Sequence, residues 1–134
     1  RLVQKEMYSK AIGYHAFNLY AFALLKQQMP GHPFWQSPKL EPVLNYVRKG
    51  EFAQGLENNR FGYTYNPTGF EVAFGLDAFD PLSRHEQQQW VAEQLHRCYD
   101  FETHLMTRST EDPQTHAARL YEATRLPDMD LDIS

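Results

Sequence analysis

Two stretches of this chain carry apolar residues on nearly every side of a helix, and that property narrows the fold more than any other. From Tyr14 to Leu25 the run holds Ala16, Phe17, Leu19, Tyr20, Ala21, Phe22, Leu24 and Leu25. From Phe70 to Phe79 it holds Val72, Ala73, Phe74, Leu76 and Ala78. A helix that is apolar all round is expected to be buried all round. One-faced helices stand between and after them. Leu40, Val43, Leu44 and Val47 make a single stripe in the segment 38–49, and Trp90, Val91, Leu95, Cys98 and Tyr99 make another in 84–105. In a simple bundle every helix would show one stripe. Alternation is what two concentric layers require, because inner helices touch neighbours on all sides and outer helices touch only the inner ring. The expected class is all-α, an α/α toroid of helical hairpins. Five helices are too few to close a ring of twelve, so the expectation is a partial barrel.

The boundaries follow from local signals. Residues 1–28 read as one long helix, or two end to end with Gly13 as a possible break, closed by Met29-Pro30-Gly31. A loop from His32 to Ser37 carries Phe34 and Trp35, and 51–59 allows one helical turn. Phe61, Tyr63 and Tyr65 alternate as in an extended strand over 60–65. In the helix that follows, Asn66 is the expected cap, Pro67 suits the first turn, and Thr68 with Glu71 has capping-box spacing. Asp80-Pro81 stops this helix, and Ser83 with Glu86 repeats the box for the next. Asp112-Pro113 opens a last helix that Leu126-Pro127 ends. The acidic tail from Asp128 to Ser134 carries no clear pattern.

At 134 residues the chain is long enough for one domain with a real core. It begins at Arg1 inside a segment that already reads as helix, so a fragment or the C-terminal part of a longer chain is expected. A net charge of −4 with no Lys/Arg run argues against a nucleic-acid surface. The longest apolar run is too short to span a bilayer, so no membrane partner is expected. Cys98 is the single cysteine, which suits a reducing, cytoplasmic compartment and leaves no cysteine zinc cluster. No histidine pair has helical metal spacing and no Gly-rich phosphate loop occurs, so neither metal nor cofactor is expected. An aromatic content of 14% favours pockets that take ring-shaped ligands.

GYHAFNLYAFALL at 13–25 and YNPTGFEVAFGLDAF at 65–79 give the chain a texture that resembles the (α/α)-barrel carbohydrate-active enzymes. The comparison is with the N-acylglucosamine 2-epimerase-like superfamily, with glycoside hydrolases and polysaccharide lyases of similar barrel shape behind it. The resemblance covers about two thirds of the chain. It implies that the inner helices bring their N-terminal ends, with aromatic, acidic and histidine side chains, to one open face where a sugar sits. In the epimerase branch it implies a histidine acid–base pair.

Each candidate site residue has a functional and a structural reading. His15 and Asn18 share a face of a buried helix, so His15 is a candidate acid or base beside substrate hydroxyls. The alternative is a core histidine bonded to a backbone carbonyl. Glu71 is a candidate catalytic carboxylate with its pKa raised by Phe70 and Phe74, or else the partner of Thr68 in the cap. His116 and Arg119 share a face near the start of the last helix, where they could complete a site or lie half exposed. Arg60, Tyr63, Tyr65 and Asn66, joined by Tyr14, form the strongest signal: rings for stacking on a sugar, arginine and amide for hydroxyls or a carboxylate. The alternative is a hairpin packed on the barrel end.

The expected function is that of a sugar epimerase or isomerase using histidine or glutamate acid–base chemistry. A glycoside hydrolase or lyase of the same shape, or a non-catalytic helical interaction domain, are the alternatives. A small-molecule or oligosaccharide substrate is the expected partner, together with the missing part of the same chain or a second copy.

Overall fold

A computed structural model describes residues 1–133. Its elements are α1 (Leu2–Gln28), a 3₁₀ turn (Pro33–Gln36), α2 (Leu40–Tyr46), α3 (Gly50–Leu56), α4 (Thr68–Phe79), α5 (Arg84–Cys98) and α6 (Pro113–Ala123). The chain is all-helical. Among the described residues the β-structure is one isolated bridge between Asp100 and Leu105, and no helix is long and apolar enough to cross a membrane.

The architecture turns on α4. Val72 and Leu76, four apart, enter a core with Ile12, Ala16 and Leu19 of α1 and Phe52 and Leu56 of α3. Phe70, Ala73 and Phe74 enter a second core with Tyr20 and with Val91, Leu95 and Cys98 of α5. One short helix is thus the wall between two cores, which is why every residue from Thr68 to Leu76 is buried. Fully burying a phenylalanine such as Phe70 contributes roughly 1.5–3 kcal/mol.

The helices alternate in direction. Along α1 and α4, Asn66 meets Gly13, Leu19 lies against Gly75 and Lys26 reaches the Ala78 carbonyl, so the two run parallel. The α3 helix runs back along α1, with Phe52 beside His15 and Gly55 against Ile12. The α5 helix runs back along α4, from Arg84 beside Asp77 to Gln94 beneath Gly69. The α6 helix rises with α4 again: His116 meets Tyr63, just before α4, and Arg119 meets Glu71.

Several expectations are corrected. The first helix is continuous through Gly13; the glycine is instead where Phe61 comes close, its Cβ 2.4 Å from where a residue-13 Cβ would stand. Nor is α1 buried all round. Phe17, Leu24 and Leu25 are 40%, 38% and 45% exposed, because α3 and α4 cover only the face carrying Ile12, Ala16, Leu19 and Ala23. The segment 60–65 is a series of turns, not a strand. Its rings diverge: Phe61 and Tyr65 pack on Tyr14, while Tyr63 stacks on Trp90. Neither capping box forms. Asn66 spends its amide on the carbonyls of Gly13 and Phe61, and Thr68 Oγ1 donates to the Asn66 carbonyl. Ser83 Oγ donates to the Asp80 carbonyl, and Glu86 pairs with Arg48. The α5 helix closes at Cys98, short of Leu105. At α6 the signal holds: Asp112 accepts from the Thr115 amide and Pro113 occupies the first turn. Met129, Leu131 and Ile133 of the tail pack on the second core, while Ser134 lies outside the described residues.

Cys98 is sealed at the floor of that core. Burial pushes its thiol up to about 11, and Gln94 and the Tyr63 carbonyl flank its sulfur. The native chain is therefore expected to react with an aromatic disulfide reagent only as fast as it unfolds, the thiolate being the reactive form. A native thiol that reacts at the rate of free cysteine would show that the core opens locally.

Candidate functional site

The structure gathers Tyr14, Phe61 and Tyr65 at the start of α4. Ring centroids lie 5.9 Å apart for Tyr14 and Phe61, 6.4 Å for Tyr14 and Tyr65, and 6.2 Å for Phe61 and Tyr65. Phe17 adds a ring 6.0 Å from Tyr14, and Asn18 is exposed one turn along from it. The cluster forms because Asn66 pins the Phe61 carbonyl and the Gly13 carbonyl with one amide, drawing the 60–66 turns onto α1. Asn66 is buried, so its part is to position the rings.

Cationic groups edge the rings. The Arg60 guanidinium lies 4.7 Å from the Phe61 centroid, and Lys10 Nζ lies 5.9 Å from that of Tyr14. Two clefts meet at Arg60. One, of about 390 Å³, runs past Lys5, Glu6, Ser9 and Asn58. The other, of about 360 Å³, runs past Glu57, Thr64 and Arg97. Arg60 is exposed, and its ion pair with Glu6 spans 3.9 Å between exposed groups, a contact worth little. A cluster of rings beside an exposed guanidinium suits a ligand with apolar faces and a polar or anionic edge. Lys10 escaped the sequence reading, although its position one turn before Tyr14 places it on the same helix face.

The other candidates have different surroundings. Tyr63 is buried, with Trp90 stacked on it and Arg97 4.3 Å from its centroid. His15 Nε2 donates to the Val43 carbonyl at 2.9 Å, and its ring meets Tyr46 and Phe52. His116 is fully buried; Nε2 donates to the Tyr63 carbonyl at 2.7 Å, and Nδ1 lies 3.0 Å from Thr110 Oγ1 and 2.9 Å from the Asp112 carbonyl. Glu71 and Arg119 do come together, Nε to Oε1 at 3.2 Å, and Arg119 also pairs with Glu122 and covers the Tyr20 ring at 4.1 Å. The Tyr20 hydroxyl donates to Glu122 in turn. Glu71 Oε2 is buried without a partner. No hydrogen bond, ion pair or ring contact joins any two of His15, Glu71 and His116. Among the described residues no group of three or more His, Cys, Asp or Glu could hold a metal ion.

The chain is 44% identical over 128 residues to the archaeal glycosylation protein Q of Haloferax volcanii. The match covers 96% of this chain and 34% of that protein, so the chain spans about a third of the length of the curated relative it matches. No family model and no solved structure matches it. The relative is named for glycosylation, not for epimerisation, isomerisation or glycoside cleavage. The expectation of a sugar epimerase, isomerase or hydrolase is corrected on that finding.

Proposed function

We propose that this chain is a helical part of a glycosylation-pathway protein, and that the ring platform of Tyr14, Phe61 and Tyr65, with Arg60 at its edge, holds a glycan. The observation that carries the reading is the 44% identity to a glycosylation protein along nearly the whole chain. The geometry supports it from the other side. Tyrosine rings offer the apolar faces of sugars a flat surface, and Arg60 and Lys10 offer donors to hydroxyls or a carboxylate. The alternating helix directions support a further step: α1, α4 and α6 are inner helices, and α3 and α5 outer helices, of one arc of a two-layer α/α toroid. In that arrangement the exposed apolar face of α1 receives the next helices of a longer protein. The platform then sits at the N-terminal end of α4, beside the middle of α1.

A chimera tests this. The matched segment of the Haloferax protein is replaced by this chain, in cells lacking the natural protein. The glycan masses on the cells' glycoproteins should return to normal, and Arg60→Ala with Tyr65→Ala in the same chimera should abolish that recovery. A chimera that accumulates at natural levels yet restores nothing would overturn the reading.

A further inference from the structure

At the far end of α4 lies a groove that the proposed platform does not use. It measures about 470 Å³, with Trp35, Phe79, Leu40 and Leu44 along its walls and Gln36 and Glu41 at its rim. The indole is fixed in place. Its Nε1 donates to the Met29 carbonyl, Phe34 meets it edge-on at 5.3 Å, and Phe79 lies 5.9 Å from it. With its N–H spent inside the protein, Trp35 presents an apolar ring and no donor. The rim is the reverse: among the described residues the Glu41 carboxylate and the Gln36 amide have no hydrogen bond or ion pair. A held aromatic ring beside two idle polar groups matches a ligand with an apolar face and a hydroxylated edge, and a preset ring loses little freedom on binding it.

We propose that this groove is a second sugar subsite, taking an uncharged hexopyranosyl ring stacked on Trp35 with its hydroxyls on Glu41 and Gln36. The inference rests on the glycosylation reading and assigns it a substrate class at a place distinct from the platform. Glu41 sets the class. A uronic acid would bring a second carboxylate against it, whereas the platform's Arg60 and Lys10 accept one. The two ends of α4 are about 18 Å apart, so the two subsites would hold different residues of one glycan.

The two tryptophans of the chain, Trp35 and Trp90, allow a direct test by fluorine NMR after fluorotryptophan labelling. Trp90 is partly buried against Phe52 and Tyr63, lines none of this groove, and serves as the reference. Methyl glucopyranoside and methyl mannopyranoside should move the Trp35 resonance saturably and leave that of Trp90 still. Methyl glucuronide should bind roughly fivefold more weakly, the size of one like-charge contact near 4 Å in water. Glu41→Gln, an exposed change without folding risk, should erase that difference. Arg60→Ala with Tyr65→Ala should leave the Trp35 response intact. A Trp35 resonance unmoved by saturating glycosides, while the chimera still restores glycosylation, removes the subsite and leaves the wider reading standing. If the chimera fails as well, both fall. Equal binding of glucuronide and glucoside overturns the assigned class.

Discussion

Gly69→Ala is expected to remove a large share of the stability of this chain, although alanine is the better helix former. A Cβ at position 69 would stand 2.2 Å from the Trp90 carbonyl oxygen and 2.6 Å from Gln94 Cβ. The first of these is backbone, so relief requires α4 and α5 to move apart. That would stretch the bond from the Gly69 amide to Gln94 Oε1, and with it the Gln94 amide's reach to the Tyr63 carbonyl. Overpacking of this kind costs about 1–3 kcal/mol, and each buried polar group left unmatched adds about 1–3 kcal/mol. The helix-propensity gain of alanine over glycine, about 1 kcal/mol, does not offset this. Against a typical total of about 5–15 kcal/mol the loss is a large share. Gly50→Ala is the control. It also lies in a helix, nothing stands within 4 Å of its Cβ, and it should leave the urea midpoint level or slightly raised. Gly75→Ala should fall between, since the nearest atoms are Leu19 Cγ and Cδ2, side chain and not backbone, which can give more readily than a carbonyl. A Gly69→Ala midpoint equal to wild type would show that the α4–α5 approach is looser than described.

Such glycines mark the limit of what a single sequence yields. The apolar run from Phe70 to Phe79 announces a buried helix, and α4 is one, because its composition leaves no face for water. The stripes at Leu40–Val47 and Trp90–Cys98 likewise announce their one covered face. Gly13 and Gly69 carry no such mark. A glycine that breaks a helix and a glycine that lets a neighbour touch its backbone are the same letter, and only the partner, Phe61 or Trp90, tells them apart. The same holds for α1, whose apolar outer side reads as buried although the described residues leave Phe17, Leu24 and Leu25 exposed on it. At the platform, nearness in sequence identified Arg60, Tyr65 and Asn66, but not that Asn66 would turn inward to staple the loop while Tyr63 joined the core. The Trp35–Phe79 groove was out of reach altogether. Its walls come from positions over forty residues apart, and no local pattern links them.

Glu71 sets the second large effect, one that appears on changing pH. The carboxyl has no exposed surface, and its pKa is raised from 4.5 to about 7. Burial is the main cause; the nearby Arg119 lowers it in part and Glu122 adds a smaller upward push. The facing groups are Arg119 and Glu122 from α6 and the Tyr20 phenol from α1, and none of them reaches Oε2. Because the folded value lies above the unfolded one, the folded state holds the proton more tightly. The associated stability is whole below about pH 4.5, declines between there and about pH 7, and is gone above that. A shift of this size corresponds to on the order of 3 kcal/mol. Glu71→Gln keeps the shape and an oxygen for Arg119 but cannot ionise. Its urea midpoint should match wild type near pH 4.5 and exceed it at pH 8.5, and the difference between the two curves cancels the titration of the histidines. Arg119→Ala should act the other way at high pH, since an ionised Glu71 would then be buried with no counter-charge, at about 3–5 kcal/mol. Parallel stability curves for wild type and Glu71→Gln across this range would mean that water reaches Oε2 and that the carboxylate ionises at little cost.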